Sequence, residues 1–459
     1  MQLLDLITIF IFALGIVIMG LSFSGKGRNM KSFFAAGGAV PWLMSGLSLF
    51  MGFFSAGTFV VWGSIAYSLG WIAISIQWTM AIAGFVVGFF IAPRWHKTSA
   101  LTVAEYITRR LGVNTQKTYT YLFLFISLFT TGSFLYPVAK IVEVSTGMPL
   151  DLCILLLGGF CIVYVAAGGL WAVVSTDVLQ FIILTAAVLI VVPLSFGRVG
   201  GVVNFIESIP ATYFNLVNGE YTIGFIVAFG VYNTIFLGGN WAYVQRYASV
   251  NSQSSARKVG FLFGGLYVVS AVLWMLPPMI YRIVNPSLST IDAEGAYLMM
   301  CKEVLPAGLL GLMLSGMVFA TASSLNATLN ISSGVVTNDI FKRLFPQSSD
   351  KTLMRVARIS TIIFGLLAII VALLIPLMGG IVNVVISVAA LTGVPLYLPI
   401  IWTLFSKRQT EYSVITTTLV SLGANAFFKF ITPLWGFGFN RAEEMIVGVA
   451  FPVLCLIAF

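Results

Sequence analysis

The segment FATASSLNATLNISSG, residues 319–334, contains eight Ser, Thr and Asn residues within sixteen positions of an apolar stretch. Four small residues share one helical face at spacings of three and four positions, namely Ala320, Ser323, Ser324 and Ala327. A lone hydroxyl in such a helix often returns a hydrogen bond to the carbonyl four residues earlier. Two adjacent hydroxyls beside free backbone carbonyls could instead bind a small hard cation, which needs several oxygen ligands at short range.

A second segment, SLFMGFFSAGTF at residues 48–59, could supply those carbonyls. Gly52 and Gly57 interrupt its aromatic, apolar run, and we predict an unwound turn at 51–54. Backbone carbonyls freed at membrane depth are tolerated only where something uses them. Two hydroxyls, one helix-end carbonyl and two carbonyls of the break would together bind a cation without burying a full negative charge.

Titratable groups are scarce in the apolar segments. Asp177 is the exception, and it either interacts with a cation or caps a helix that begins in STDVLQ. Lys140 and Glu143 lie three residues apart, a spacing that predicts an ion pair. The one histidine, His96, lies in a predicted loop, which disfavours a proton relay and favours a metal cation as the coupling ion. No nucleophile–base pair or metal-ligand cluster in the sequence predicts an enzyme.

The composition assigns these segments to a membrane. Hydrophobic residues make up 59% of the 459-residue chain and charged residues only 8%, against about 25% charged residues in soluble domains. Apolar runs long enough to cross about 30 Å of hydrocarbon recur throughout. We predict an all-α polytopic protein with about thirteen spans, numbered here in chain order: 3–23, 41–68, 70–93, 116–146, 150–167, 173–197, 222–247, 256–281, 305–341, 352–376, 379–405, 412–432 and 441–459.

The charges predict the orientation of the spans. If the N-terminus lies outside, most of the 24 basic residues, Arg246 among them, fall in loops on the inner side. An odd number of spans then places the C-terminus in the cytoplasm of a multi-pass cell-membrane protein. The polar segment at 98–112 predicts an amphipathic helix lying on the cytoplasmic membrane surface.

Glycine-interrupted spans recur at matching positions. Gly238-Gly239 interrupt the seventh span as Gly52 and Gly57 interrupt the second, and each broken span opens a set of five. Five is odd, so the two sets would have opposite topology. Paired breaks in inverted repeats are typical of a transporter's binding site, although the glycines could instead serve close helix packing.

The chain is therefore divided into one transmembrane domain with four parts. An extra first helix and loop precede two five-span repeats, and two additional helices follow them. The predicted boundaries are 1–40, 41–200, 221–405 and 411–459.

Three segments carry a resemblance to a known family. They are GGLWAVVSTDVLQ at 168–180, GGNWAYVQRY at 238–247 and ASSLNATLNISSGVVTNDIF at 322–341, and their order and motifs resemble the sodium–solute symporter family. The resemblance implies a LeuT-like 5+5 inverted repeat. It also implies sodium-coupled secondary active import of a small polar organic solute by alternating access; a sugar or polyol, an amino acid and an organic acid all remain open.

The family's functional positions fall on particular residues of this chain. The resemblance implies a main sodium site formed by the carbonyls of Met51, Phe54 and Ala320 and the hydroxyls of Ser323 and Ser324. Asp177 matches a residue that forms a second sodium site or release path in some relatives. Asn326 and Ala327 stand where a two-sodium relative has serines, so we expect one sodium.

Positions that face the substrate in relatives fall on Ser55, Thr58, Gln77 and Asn233, and an aromatic gate falls on Phe236. Thr130 lies near the position where sialic acid relatives carry an arginine, so we expect no carboxylate clamp of that kind. Lys140 could substitute only by turning inward.

The expected partners are sodium, a small solute and the bilayer, with no nucleic acid and no obligate protein partner. A transporter-like membrane solute sensor remains the alternative.

Overall fold

The computed structural model describes residues 2–24, 40–100, 102–164 and 170–458, and all regular structure in these ranges is helical. The predicted loop at 25–39, with its three basic residues, and Gly168-Gly169 of the signature segment lie outside the described residues. In span order the helices are Leu3–Ser24, Trp42–Met51 with Thr58–Leu69, Ile72–Lys97, Val113–Thr146, Leu150–Tyr164, Leu170–Arg198, Ile223–Gly239 with Trp241–Ala248, Gln253–Val284, Leu309–Val335, Asp350–Leu374, Ile381–Thr403, Glu411–Trp435 and Arg441–Ala458.

A helix thus lies at each predicted span. Within the described ranges, seven helices are long and apolar enough to cross a bilayer, or eight if the bent seventh span counts as one. The remaining predicted spans correspond to shorter apolar helices and to Arg441–Ala458, whose first turn carries Glu443 and Glu444. The all-α fold is confirmed, whereas the full number of spans stays a prediction.

Both predicted breaks are present. The first half of the second span ends at Met51, and regular helix resumes in a wide π-helical turn at Thr58–Trp62. In the seventh span the helix ends at Gly239, Asn240 is extended with ψ 129°, and the next helix is bent away by 59°. The matching positions of the two breaks agree with repeats at 41–200 and 221–405, a division that stays a prediction.

Glycines also allow close packing, the alternative use that the sequence left open. A Cβ on Gly238 would lie 2.8 Å from Ile91, and one on Gly239 would lie 2.7 Å from Tyr397. The third and eighth spans meet backbone to backbone, because a Cβ on Gly84 would lie 2.8 Å from the Cα of Gly264. Small residues at helix interfaces permit such contacts, so the seventh-span glycines serve both the break and the packing.

Aromatic side chains hold the first break against the eighth span. Phe50 precedes the turn and Phe54 lies within it, and their ring centroids lie 5.4 and 4.8 Å from that of Trp274. All three side chains are buried. The turn therefore has a fixed position although its own backbone is irregular.

The first span fixes the start of the ninth. The carboxylate of Asp5 accepts hydrogen bonds from the backbone N–H groups of Gly308, at 2.7 Å, and Gly311, at 3.2 Å. These N–H groups lie at the start of helix Leu309–Val335, where a negative charge is favourable. A Cβ on Gly311 would lie 2.3 Å from the Asp5 carbonyl oxygen, so only glycine fits there.

The amphipathic segment at 98–112 forms the helix Val103–Leu111, which Thr102 caps. Its apolar residues are buried by the protein itself, and the Tyr106 hydroxyl lies 2.8 Å from that of Thr403. Arg110 donates to the carbonyl of Lys407 at 3.0 Å. The prediction of a helix is confirmed, but its apolar face covers protein, where the sequence predicted membrane contact.

Candidate functional site

The first break and the ninth span lie side by side. The backbone N–H of Ala56 donates to the hydroxyl of Thr321 at 3.0 Å, and that hydroxyl donates to the Met317 carbonyl at 2.9 Å. Next to this contact is a cavity of about 90 Å³, here named the polar cavity. Its lining includes Ser48, Met51, Asp177, Arg246, Ala320 and Ser324.

The backbone carbonyls at the two breaks differ in whether they accept hydrogen bonds. In the seventh span the Leu237 carbonyl accepts from the Tyr247 hydroxyl at 3.3 Å, and the Gly238 carbonyl accepts from the Trp95 indole at 2.7 Å. In the second span the N–H groups at 52–54 donate to residues 49 and 50, and none of these turn bonds uses the carbonyl of Met51 or Phe54. The carbonyls of Met51 and Phe54 are therefore available to a cation in this part of the structure.

The structure describes some, but not all, of the predicted sodium ligands. Met51, Ala320 and Ser324 line the polar cavity, and Phe54 belongs to the same break. The Ser324 hydroxyl lies 3.5 Å from the Ala320 carbonyl, at the long limit of a hydrogen bond, so it is barely engaged. The side chains of Ser323 and Asn326 lie outside the described part of the structure.

A second cavity, of about 180 Å³, is named here the aromatic cavity. Its lining includes every predicted solute residue and the predicted gate: Ser55, Thr58, Gln77, Asn233 and Phe236. Aromatic rings form much of the remaining wall, including those of Phe53, Trp62, Phe134, Phe229 and Tyr267. None of the described residues that line it carries a charge. Such a wall suits a neutral solute, because an unpaired charge is costly to bury.

The polar groups of the aromatic cavity offer both donors and acceptors. The Gln77 side chain is 3% exposed, and its Nε2 has no hydrogen-bond partner within the described structure. Asn233 donates through Nδ2 to the Thr79 hydroxyl at 2.7 Å, and Thr58 donates to the Phe53 carbonyl. A buried amide donor left unpaired costs about 1–3 kcal/mol, so Gln77 is prepared for an acceptor on a ligand.

Phe236 lines both cavities. Its ring stacks on Tyr232 with centroids 5.5 Å apart, and it meets Tyr243 edge-on at 5.5 Å and Tyr397 at 5.9 Å. Tyr243 and Tyr397 also line both cavities. The three rings lie where the predicted aromatic gate would separate the two spaces.

Asp177 lies within a helix and does not cap one. The helix begins at Leu170, two turns earlier, so the interpretation of STDVLQ as a cap is wrong. The Asp177 carboxylate is buried, lines the polar cavity and accepts a hydrogen bond from the Ser48 hydroxyl at 2.6 Å.

Arg246 is a residue whose place the sequence reasoning missed. Counted above among loop residues, it lies in the short helix Trp241–Ala248 with its side chain buried. Its Nε donates to the Ser48 hydroxyl at 3.2 Å, and its own carbonyl accepts from the Ser45 hydroxyl at 2.8 Å. The sequence feature that could have indicated this place is the position of Arg246 shortly after Gly238-Gly239, in the second half of a broken span.

Lys140 and Glu143 form the predicted ion pair, with Nζ and Oε2 2.8 Å apart. Lys140 does not line the aromatic cavity; it lies instead beside a much smaller cavity with Glu294. Thr130 does line the aromatic cavity, and its hydroxyl donates to the Ser127 carbonyl at 3.2 Å. Thr130 therefore contributes a short neutral side chain to the wall of the aromatic cavity.

Known proteins resemble this chain over most of its length. The family model for the sodium:solute symporter family matches residues 33–420. The sodium/glucose cotransporter of Vibrio parahaemolyticus is 29% identical over 93% of this chain and 86% of its own length. Sodium/glucose cotransporter 1 of Mus musculus is 25% identical over 89% of this chain and 68% of its own length.

Solved structures show the same fold. A sodium-coupled sialic acid symporter, in a substrate-bound outward-open state, superposes with a TM-score of 0.83 at 21% identity, covering 100% of this chain and 98% of its own. Mhp1, a nucleobase–cation symporter, superposes with a TM-score of 0.62 at 14% identity over 94% of each chain. The LeuT-like fold is thereby confirmed.

These findings give no support to the sensor alternative or to an enzyme. The protein is a multi-pass membrane transporter that couples sodium to the movement of a small polar solute. On the match of its family model, the chain belongs to the sodium:solute symporter family.

Proposed function

We propose that this symporter imports a neutral, hydroxyl-rich solute, such as a monosaccharide or cyclic polyol, together with one sodium ion. The observation that carries the proposal is the aromatic cavity, whose described lining offers amide and hydroxyl groups but no charge. Relatives named as sodium/glucose and sodium/myo-inositol cotransporters take solutes of this kind. Ser55, Thr58, Gln77 and Asn233 would bind the solute, which stacks on aromatic rings of the wall.

The sodium ion would bind at the first break. Its ligands are the carbonyls of Met51, Phe54 and Ala320 and the hydroxyls of Ser323 and Ser324. All are oxygen atoms, the ligands that hard cations prefer. The carbonyls of Met51 and Phe54, which none of the backbone hydrogen bonds of the turn uses, support this assignment.

One sodium ion is proposed for each solute. Asp177, the acidic residue that would hold a second ion, is already bonded to Ser48 in a cluster with Arg246. Asn326 and Ala327 stand where the resemblance would require serines. In this proposal Asp177 acts on the path by which sodium leaves.

The transport cycle follows from the order of the cavities. With the N-terminus outside the cell membrane and the C-terminus in the cytoplasm, the aromatic cavity lies nearer the outside and the polar cavity nearer the cytoplasm. Sodium binding joins the first break to the ninth span and favours the form that binds solute. Movement of Phe236 then opens the path to the polar cavity. Coupling requires sodium to bind one form better than the other.

The available energy suffices for uphill uptake. One positive charge that crosses 100 mV releases about 2.3 kcal/mol, and a tenfold sodium gradient adds about 1.4 kcal/mol. One sodium per solute then supports accumulation on the order of several hundredfold. No nucleic acid and no obligate protein partner is needed for this cycle.

Uptake into proteoliposomes tests the proposal. A panel of neutral sugars and polyols, amino acids and organic acids would be compared with an inward sodium gradient and with potassium in its place. Concentrative, sodium-dependent uptake of a sugar or polyol is expected. Uptake restricted to a charged solute would contradict the solute class, and uptake that ignores sodium would contradict the coupling.

A further inference from the structure

Hydrogen bonds join the half-helix that precedes the first break to the half-helix that follows the second break. Ser45 and Ser48 lie in Trp42–Met51, and Arg246 lies in Trp241–Ala248. The Ser45 hydroxyl donates to the Arg246 carbonyl at 2.8 Å, and the Arg246 Nε donates to the Ser48 hydroxyl at 3.2 Å. One residue of the seventh span thus bonds to two successive turns of the second.

Asp177 of the sixth span completes this cluster. The Ser48 hydroxyl donates to its carboxylate at 2.6 Å and accepts from Arg246, so a single hydroxyl lies between two opposite charges. The exposed fractions are 2% for Ser48, 3% for Asp177 and 9% for Arg246. Buried charges persist when they are paired and hydrogen-bonded, and removing one partner leaves the other uncompensated.

The cluster also forms part of the polar cavity. The same wall includes Met51, Ala320 and Ser324 of the proposed sodium site. A cation that leaves that site enters a space in which Asp177 is a charged wall residue. It therefore meets a carboxylate that Arg246 already neutralises.

We propose that Ser48 and Arg246 are positioning residues of a cytoplasmic clamp, which sodium releases by competing for Asp177. While sodium is at the first break, Arg246 and Ser48 hold the two half-helices against the sixth span. A sodium ion in the polar cavity repels Arg246 and attracts Asp177, because like charges disfavour each other and opposite charges attract. The half-helices then separate and the cytoplasmic side opens.

The clamp rests on the proposed function, and it assigns a role to two residues outside the proposed sodium and solute sites. Its effect is kinetic, because it links the departure of sodium to opening. Without the clamp, opening of the cytoplasmic side would no longer depend on the departure of sodium from its site. Sodium would then cross without solute.

Ser48→Ala tests the clamp while leaving both charges in place. Ser64→Ala is the matched control, since Ser64 is a buried serine in the outer half of the same span whose hydroxyl bonds only locally to the Val61 carbonyl. Ser48→Thr keeps the bridging hydroxyl and serves as rescue. A reporter cysteine at Thr328, which lines the polar cavity, is labelled by an impermeant thiol reagent from the cytoplasmic side.

We expect Ser48→Ala to raise the labelling rate and the solute-independent sodium leak about tenfold, the weight of one hydrogen bond to a charged group. Equilibrium sodium affinity should stay near that of the wild type. Ser64→Ala and Ser48→Thr should match the wild type in all three measurements. A purely structural role would lower expression and stability without raising the leak.

The charge pair is tested by a double-mutant cycle. Arg246→Gln leaves Asp177 without its guanidinium and should slow sodium-coupled uptake, and adding Asp177→Asn should cost little more than either single change. Additive losses would overturn the pairing, and a leak in Ser48→Ala equal to that in Ser64→Ala would overturn the clamp. If either result is found while the wild type still shows sodium-dependent uptake, the clamp fails but the proposed function stands.

Discussion

Thr321 of the ninth span accepts a hydrogen bond from the backbone N–H of Ala56 at 3.0 Å, across 265 residues of chain. The same hydroxyl donates to the Met317 carbonyl at 2.9 Å, so both its donor and its acceptor capacity are used. Thr321 lies between Ala320 and the adjacent serines of the ninth span. This bond therefore sets the position of the proposed ninth-span sodium ligands relative to the carbonyls of the first break.

Thr321→Val keeps the shape of the side chain but removes the acceptor for Ala56. An unpaired buried N–H costs about 1–3 kcal/mol, so we expect sodium affinity to fall about tenfold and thermal stability to decrease. Sodium-dependent thermal shifts of the purified protein measure both. Thr321→Ser keeps the hydroxyl and should behave as wild type; equal losses in the two variants would assign the effect to packing.

Ser324→Ala should weaken sodium binding and uptake while the protein stays folded, because it removes one oxygen from a site with few ligands. The control is Ser315→Ala, a buried serine of the same helix that bonds to the Gly311 carbonyl and does not line the polar cavity. Uptake measured against sodium concentration reports the change. An unaltered sodium dependence in Ser324→Ala, at normal expression, would contradict the proposed ligand.

Gln77→Ala and Asn233→Ala should each raise the solute concentration for half-maximal uptake about tenfold or more, since a solute group loses its partner at about 1–3 kcal/mol. Sodium binding measured without solute should change little. Loss of sodium binding with solute affinity intact would mean that the two sites are assigned the wrong way round.

Phe236→Ala should join the aromatic and polar cavities, because this ring lines both. We expect solute to leave preloaded proteoliposomes severalfold faster without sodium. Phe236→Leu, which keeps an apolar side chain of similar size, should leak far less. Tight retention of solute by Phe236→Ala would argue against a gate at this position.

Much of the fold could be predicted because its signals are local. Long apolar runs mark the spans, and Gly52 and Gly238-Gly239 mark the two breaks that the structure contains. The solute residues followed from the resemblance, and the structure brings them together in one cavity. Whether they bind solute stays a prediction.

The cluster of Ser48, Asp177 and Arg246 could not be predicted because its residues are far apart in the sequence. Arg246 and Ser48 are 198 residues apart, and Ser48 and Asp177 are 129 residues apart. An arginine near the end of an apolar run has the same composition signal as one in a loop, and no local pattern reveals that a serine lies opposite it. The amphipathic helix Val103–Leu111 was misplaced for a related reason, since periodicity shows an apolar face but not what covers it.

The cap that Asp5 provides has a consequence for how the chain is made. Asp5 and Gly308 bond at 2.7 Å but are separated by 303 residues. A ribosome that adds about 5–20 residues per second needs roughly 15 to 60 s to cover that interval. The carboxylate is thus synthesised well before its partner, which appears only after the intervening predicted spans, from the second to the eighth, have been made. The first helix must wait in the bilayer for the ninth, so the order of translation decides when this end of the transporter can close.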